Sequence, residues 1–156
     1  MTRWLSDEEQ TLWRLWITAN AELEHAIEED LLEHDLSPAD YEILAHLSES
    51  PEGKLRMSEL ADAILVSKSR LTYRVDQMEA RGFVQRCAAD GDGRGVTALL
   101  TRQGRRAIER AAPSHVATVR AALIDHLRPA TRRALAADLR ALLEARQLAP
   151  HGHGHA

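Results

Sequence analysis

The stretch Ser67–Val75 reads Ser-Lys-Ser-Arg-Leu-Thr-Tyr-Arg-Val and holds no acidic residue. Lys68, Arg70 and Arg74 are cations, and Ser67, Ser69, Thr72 and Tyr73 add hydroxyl groups. An arginine can bond O6 and N7 of a guanine in bidentate fashion, and Ser, Tyr and Lys can hold phosphates or base edges. The spacing suits a helix over about 68–81. Leu71, Val75 and Met78 fall at i, i+4 and i+7 on one side, and Ser69, Arg70, Tyr73 and Gln77 fall broadly opposite, with Lys68 and Arg74 on the flanks. In isolation such a helix reads as a solvated, charged face. The missing acids and the segment that follows favour a surface that reads duplex DNA.

That segment is a hairpin. Phe83–Cys87 and Val96–Leu100 read as strands, joined by a turn that contains Gly91, Gly93 and Gly95. Arg94 at its tip suits a minor groove, whose negative potential attracts arginine. Asp90 and Asp92 are expected to bond the turn backbone or to orient Arg94.

The elements that must position these residues follow from local signals. Leu55 and Met57 suggest a short strand. Ser58 is expected to cap a helix carrying Leu60, Ala61 and Ile64, Val66 to pack the turn, and Ser67 to cap the donor-rich helix, which Gly82 ends. Thr101 is expected to cap a helix starting near Gln103. Helix, turn, helix and basic-tipped hairpin is the order of a winged helix-turn-helix. Upstream, Ser6-Asp7-Glu8-Glu9 forms a capping box that opens a long helix to about Glu33, striped by Leu12, Trp16, Ala19, Leu23 and Ile27 and widened by Trp13 and Leu31. A small monomer cannot bury so long a face, so part of it is expected to meet a second subunit; packing within its own chain is the alternative. Ser37-Pro38 starts the next helix, with Tyr41, Leu44, Ala45 and Leu47 on its core face. Downstream of Gln103 the pattern stays helical to about Leu148, with interruptions expected at Pro113 and Pro129 and a cap at Thr131.

The fold class is therefore mainly α: a winged helix-turn-helix with a two-stranded β-wing and a helical dimerisation body formed by the N- and C-terminal helices. The chain divides into an N-terminal dimerisation helix (1–36), a DNA-binding lobe (37–104), C-terminal dimerisation helices (105–148) and a disordered His/Gly tail (149–156).

Composition agrees. With 156 residues, 44 % hydrophobic, 28 % charged and 4 % aromatic, the chain reads as one soluble, mainly helical body. Its net charge of −4 hides a division: residues 1–40 hold eleven acids against two bases, and residues 67–106 hold nine bases against four acids. Screening cuts charge interactions off within about 8–10 Å, so phosphates would feel the basic segment alone. The single cysteine, Cys87, forms no disulfide within the chain and reads as a small packing residue. No apolar run suits a membrane span and no export signal is evident, so a cytoplasmic location and no membrane partner are expected. An enzyme is not expected: the glycines at 91, 93 and 95 lie in a hairpin rather than a phosphate loop, and no Ser/His/Asp arrangement stands out.

The run SELADAILVSKSRLTYRVDQMEARGFVQR, followed by DGDGRGVTALLTRQG, resembles the MarR family of bacterial transcription regulators. The resemblance rests on Val75-Asp76-Gln77-Met78-Glu79-Ala80-Arg81-Gly82-Phe83-Val84-Gln85-Arg86, on Asp92-Gly93-Arg94 and on Leu100-Thr101-Arg102-Gln103-Gly104. It implies a homodimer, bound to a pseudo-palindromic operator with recognition helices in major grooves and wings in minor grooves. Ser67, Lys68, Ser69, Arg70, Thr72, Tyr73, Arg74, Arg86 and Arg94 are the implied DNA contacts. Most members repress, and many release DNA on binding a small molecule, often an aromatic acid. A bacterial, nucleoid-associated repressor is the resulting expectation. A zinc-responsive regulator of the same fold, or an adaptor that does not bind DNA, are the alternatives.

No cofactor is required. For an aromatic effector, Trp13, Trp16 and Tyr41 could form a flat wall and Arg14 supply a cation, but Trp13 and Trp16 read better simply as core residues. For zinc, the resemblance points to Glu24, His25, His34 and His46 with His115, beside Asp35; none has a metal-ligand spacing, and ordinary surface histidines are the favoured reading. Cys87, in a wing strand, departs from the family's thiol sensors.

Overall fold

The computed structural model describes residues 2–64, 66–88 and 95–148. Six helices and three strands follow in the order α1 (Asp7–Leu32), α2 (Pro38–Glu49), β1 (Lys54–Arg56), α3 (Met57–Ala63), α4 (Lys68–Ala80), β2 (Val84–Ala88), β3 (Val96–Leu100), α5 (Arg102–Ala122) and α6 (Pro129–Leu148). Single 3-10 turns at Pro51–Gly53 and Ile124–His126 lead into β1 and towards α6. Among the described residues, no helix is long and apolar enough to cross a membrane.

Cap chemistry sets most helix starts. At α1, Ser6 Oγ accepts from the Glu9 amide and the Glu9 carboxylate accepts from the Ser6 amide. Ser37 and Asp40 repeat the exchange at α2, and Ser67 and Thr101 cap α4 and α5 alone. Two expected caps are corrected. Ser58 lies inside α3, which starts at Met57 because the Glu59 carboxylate accepts from the Arg56 amide. Thr131 lies in the first turn of α6, which Pro129 begins with its preset φ. Pro113 does not interrupt α5. The helix loses one backbone bond there but is held by Ala107, Ile108 and Ala111, all buried in the core.

The wing also differs from expectation. It belongs to a three-stranded antiparallel sheet ordered β1-β3-β2, in which Leu55 pairs with Ala98 and Arg86 pairs with Ala98 from the other side. Met57 is not part of a strand.

The core lies in the lobe, where Ile43, Leu44 and Leu47 of α2 meet Leu60 of α3, Leu71, Val75 and Met78 of α4, and Val84 and Ala98 of the sheet. Leu31 joins it from the end of α1. Asp7 through Glu22 of α1 are exposed, and α6 has no buried residue among those whose exposure is described. Trp4, Leu12, Trp13, Leu15, Trp16, Ile17, Val116, Leu142 and Leu143 are exposed as well. Trp13 and Trp16 are therefore not core residues of a single chain.

Candidate nucleic-acid interface

Helix α4 presents its donors as its periodicity demands. Leu71, Val75 and Met78 are buried, whereas Ser67, Lys68, Ser69, Arg70, Thr72, Tyr73 and Gln77 are exposed. Ser67 Oγ accepts from the Arg70 amide at 3.3 Å and lies 3.2 Å from Ser69 Oγ. Thr72 donates its hydroxyl to the Lys68 carbonyl at 2.8 Å, which leaves it only acceptor capacity toward a ligand. Lys68 and Arg70 make no side-chain hydrogen bond or ion pair among the described residues, so their donors remain available.

Beside this helix lies a cleft of about 850 Å³, bounded by the start of α3, the first turns of α4 and the two wing strands. Arg56, Ser58, Lys68, Thr72, Arg86 and Cys87 all line it. Arg56 and Ser58 were not among the sequence candidates. They precede the basic stretch, and only the pairing of β1 with β3 brings them to the cleft.

Two arginines expected at the interface have other partners. Arg86 donates its backbone N–H to Glu79 Oε1 at 2.8 Å and its Nε and Nη2 to Glu79 Oε2 at 3.0 and 2.9 Å, and it also pairs with Asp76. The backbone bond first, and the guanidinium second, hold the Glu79 carboxyl below its ordinary range. Arg86 thus ties β2 to α4, its guanidinium engaged within the chain rather than left open as a DNA contact would suggest. Arg74 is half-buried, with Nη1 3.8 Å from Asp40 Oδ1. Asp40, only 4 % exposed, also accepts from Arg81 Nη1 at 3.2 Å and from the Ser37 amide at 3.1 Å. One carboxylate therefore caps α2 and binds two positions of the α4 segment. Sequence gave no sign of this, because Arg81 lies far along the chain.

The wing joins the lobe at a dense junction. Gly82 has φ +75°, and the Gly82 and Phe83 amides bond the Glu79 and Met78 carbonyls at 2.9 Å each, which ends α4 with a left-handed turn. Thr101 Oγ1 donates toward the Gly82 and Phe83 carbonyls, at 2.6 and 3.0 Å, and accepts from the Gly104 amide at 3.0 Å. A Cβ at Gly104 would collide with the Phe83 carbonyl. Arg94 lies outside the described residues, as does the tail at 149–156. Cys87 is exposed rather than packed, its thiol 3.7 Å from the Thr97 carbonyl.

The remaining candidates do not gather at one place within the chain. Trp13, Arg14 and Trp16 are exposed on the outer half of α1, and Tyr41 is half-buried against His115 with ring centroids 4.1 Å apart. The metal candidates also part. His25 lies 3.4 Å from Glu29, His34 Nε2 is 2.8 Å from Ser114 Oγ, His46 and His115 line a separate cavity, and Glu24 bonds Asn20 at 2.8 Å. Among the described residues, no three His, Cys, Asp or Glu side chains converge as a metal site, because the helical spacing turns these residues to different faces.

Known proteins share this architecture. A family model described as MarR family matches residues 34–95. The structure of AbsC, a MarR family transcriptional regulator from Streptomyces coelicolor, matches with a TM-score of 0.91 and 42 % identity, over 94 % of this chain and 99 % of that one. Sco3205, a MarR family transcriptional regulator from the same organism solved in complex with DNA, matches with a TM-score of 0.88 and 37 % identity, over 99 % of this chain and 97 % of that one. The HTH-type transcriptional regulator PecS of Dickeya dadantii is 30 % identical over 95 residues, which are 60 % of this chain and 57 % of PecS. The chain thus spans little more than half the length of that relative. With the donor-bearing helix and its adjoining wing strands in place, and with such identity along almost all of a solved regulator, the chain belongs to the MarR family.

Proposed function

We propose that this protein binds a pseudo-palindromic DNA operator as a homodimer and represses transcription until a small-molecule effector releases it. The observation that carries the reading is the exposed first turn of α4, where Lys68 and Arg70 keep their donors and Lys68 lines the cleft that Arg56 also lines. The similarity to Sco3205, solved in complex with DNA, supports it. Lys68, Ser69, Arg70 and Tyr73 would enter the major groove, Ser67 and Thr72 would offer their oxygens, Arg74 would reach a flanking phosphate, and Arg94 would meet the minor groove. The exposed apolar residues of α1, α5 and α6 would close against a second copy. In such a dimer the recognition helices stand about 34–36 Å apart, one turn of DNA.

Selection of genomic fragments with the purified protein tests this reading. Enrichment of one inverted repeat is the expected result, and failure to enrich any sequence at low salt would overturn it. Arg94→Ala should weaken binding to every sequence and lower the salt dependence by about one phosphate contact; unchanged affinity would remove the wing from the interface.

A further inference from the structure

The outer end of the lobe holds a cavity of about 370 Å³ between α1, α2 and α5, within the range of small-molecule sites. Ile27, Leu31 and Ala45 give it apolar walls, and the adjoining rings of Tyr41 and His115, tilted by 38°, give it an aromatic one. Its ionisable lining is Glu42 and Glu49 with His46, His115 and Tyr41, and among the described residues no lysine or arginine lines it. Asp30 adds a further carboxylate from α1. Its Oδ2 is buried without a hydrogen-bond partner, as is Nδ1 of His115.

The titrating groups report the same field. Burial first, then Asp30 and Glu49, push the Tyr41 phenol above its ordinary value, as a negative potential must. Burial pushes the His115 imidazole below 6.5, against the pull of Asp30, so at neutral pH it adds no compensating positive charge. Arg14, the cation expected to hold an aromatic acid, is exposed on the outer half of α1 and does not line this cavity. An organic anion would enter against Glu42 and Glu49, with Asp30 behind them, and among the described residues no lysine or arginine lines the cavity to balance them.

We infer that this cavity binds a small organic monocation, an ammonium carried on an aromatic or alkyl body, with Glu49, Glu42 and Asp30 supplying the charge and Tyr41 the aromatic wall. A metal ion is not the occupant the geometry suits, because no three ligating side chains converge there among the described residues. Occupancy would act on the junction of α1 and α5 with α2. Its effect on DNA rests on the function proposed above, whereas the binding itself does not.

The test is calorimetry on the full-length protein with benzyltrimethylammonium as probe and benzoate, of similar size and opposite charge, as control. The cation should bind and raise the melting temperature, and benzoate should do neither. Glu49→Gln and, separately, Asp30→Asn should each weaken cation binding by tenfold or more, with circular dichroism confirming that the variants fold. Binding of benzoate in preference to the cation, binding of neither, or cation binding indifferent to both substitutions would each overturn the inference. Operator affinity is measured separately without probe. Loss of cation binding with operator binding intact overturns this inference alone, and the converse overturns only the regulatory reading.

Discussion

Lys68 and Arg70 occupy the same turn of α4, yet their chemistry suits them to different tasks in the proposed interface. A lysine is a mobile point charge, suited to phosphate, whereas the planar arginine fork can read a guanine edge. Arg70→Ala should therefore cost about 1–3 kcal/mol against the preferred operator and much less against unrelated DNA, measured by fluorescence anisotropy. Lys68→Ala should weaken both DNAs alike and reduce the salt slope by about 1. If Arg70→Ala instead lowers all affinities equally, it holds a phosphate. Arg86 gives a third pattern. Its guanidinium is engaged by Glu79 and Asp76, so Arg86→Gln should lower operator affinity through a misplaced wing while leaving the salt slope unchanged. A slope reduced by about 1 would return Arg86 to the list of phosphate contacts.

Among the elements, the turn after α1 carries a removable strain. Asp35 sits at φ +57°, where the Asp35 and Leu36 amides bond the Leu32 and Leu31 carbonyls at 3.0 Å each, and Arg81 donates to the Asp35 carbonyl. An L-residue pays for that backbone shape and glycine does not, so Asp35→Gly should stabilise the fold by about 1 kcal/mol in chemical denaturation. A loss of stability would mean that the Asp35 side chain contributes more than its backbone costs. The same level shows what sequence reveals. Ser6, Ser37, Ser67 and Thr101 were legible as caps because the bond they make spans only three residues. Ser58 and Thr131 misled because a hydroxyl near a helix start is not a cap when a neighbouring carboxylate or proline already sets the first turn. The third strand was hidden because Lys54 pairs with Leu99, a partner that no local pattern announces. The helix that presents the donors was legible down to its buried face, whereas the partners of Arg74 and Arg86 were not, since a cation's sequence neighbours do not say which carboxylate it will meet.

For the whole molecule, two measurements bear on the junction and the dimer. Burial lowers the affinity of the folded state for a proton at His115. As pH falls through the ordinary histidine value of 6.5, the unfolded chain takes up that proton first, so stability drops until the folded imidazole also titrates. His115→Gln should flatten the loss between about pH 7 and 5.5 in urea titrations; an unchanged slope would assign it to other groups. Trp13, 54 % exposed in one chain, would be buried by a second copy in the proposed dimer. Trp13→Asp should shift sedimentation toward monomer, with a loss on the order of 2 kcal/mol in association, and an unshifted dimer would put the interface elsewhere.

The outer half of α1 and the whole of α6 have a further consequence. Among the residues whose exposure is described, neither buries a side chain in a core of its own chain, and a helix without tertiary support is marginal in water. If a second copy supplies that support, these segments fold only as they associate, and mass action enters the stability of the protein itself: its melting temperature rises with its concentration. A cell holding few copies would then have few intact folds rather than a reserve of idle subunits. Gene dosage and resistance to proteolysis would then become a single variable.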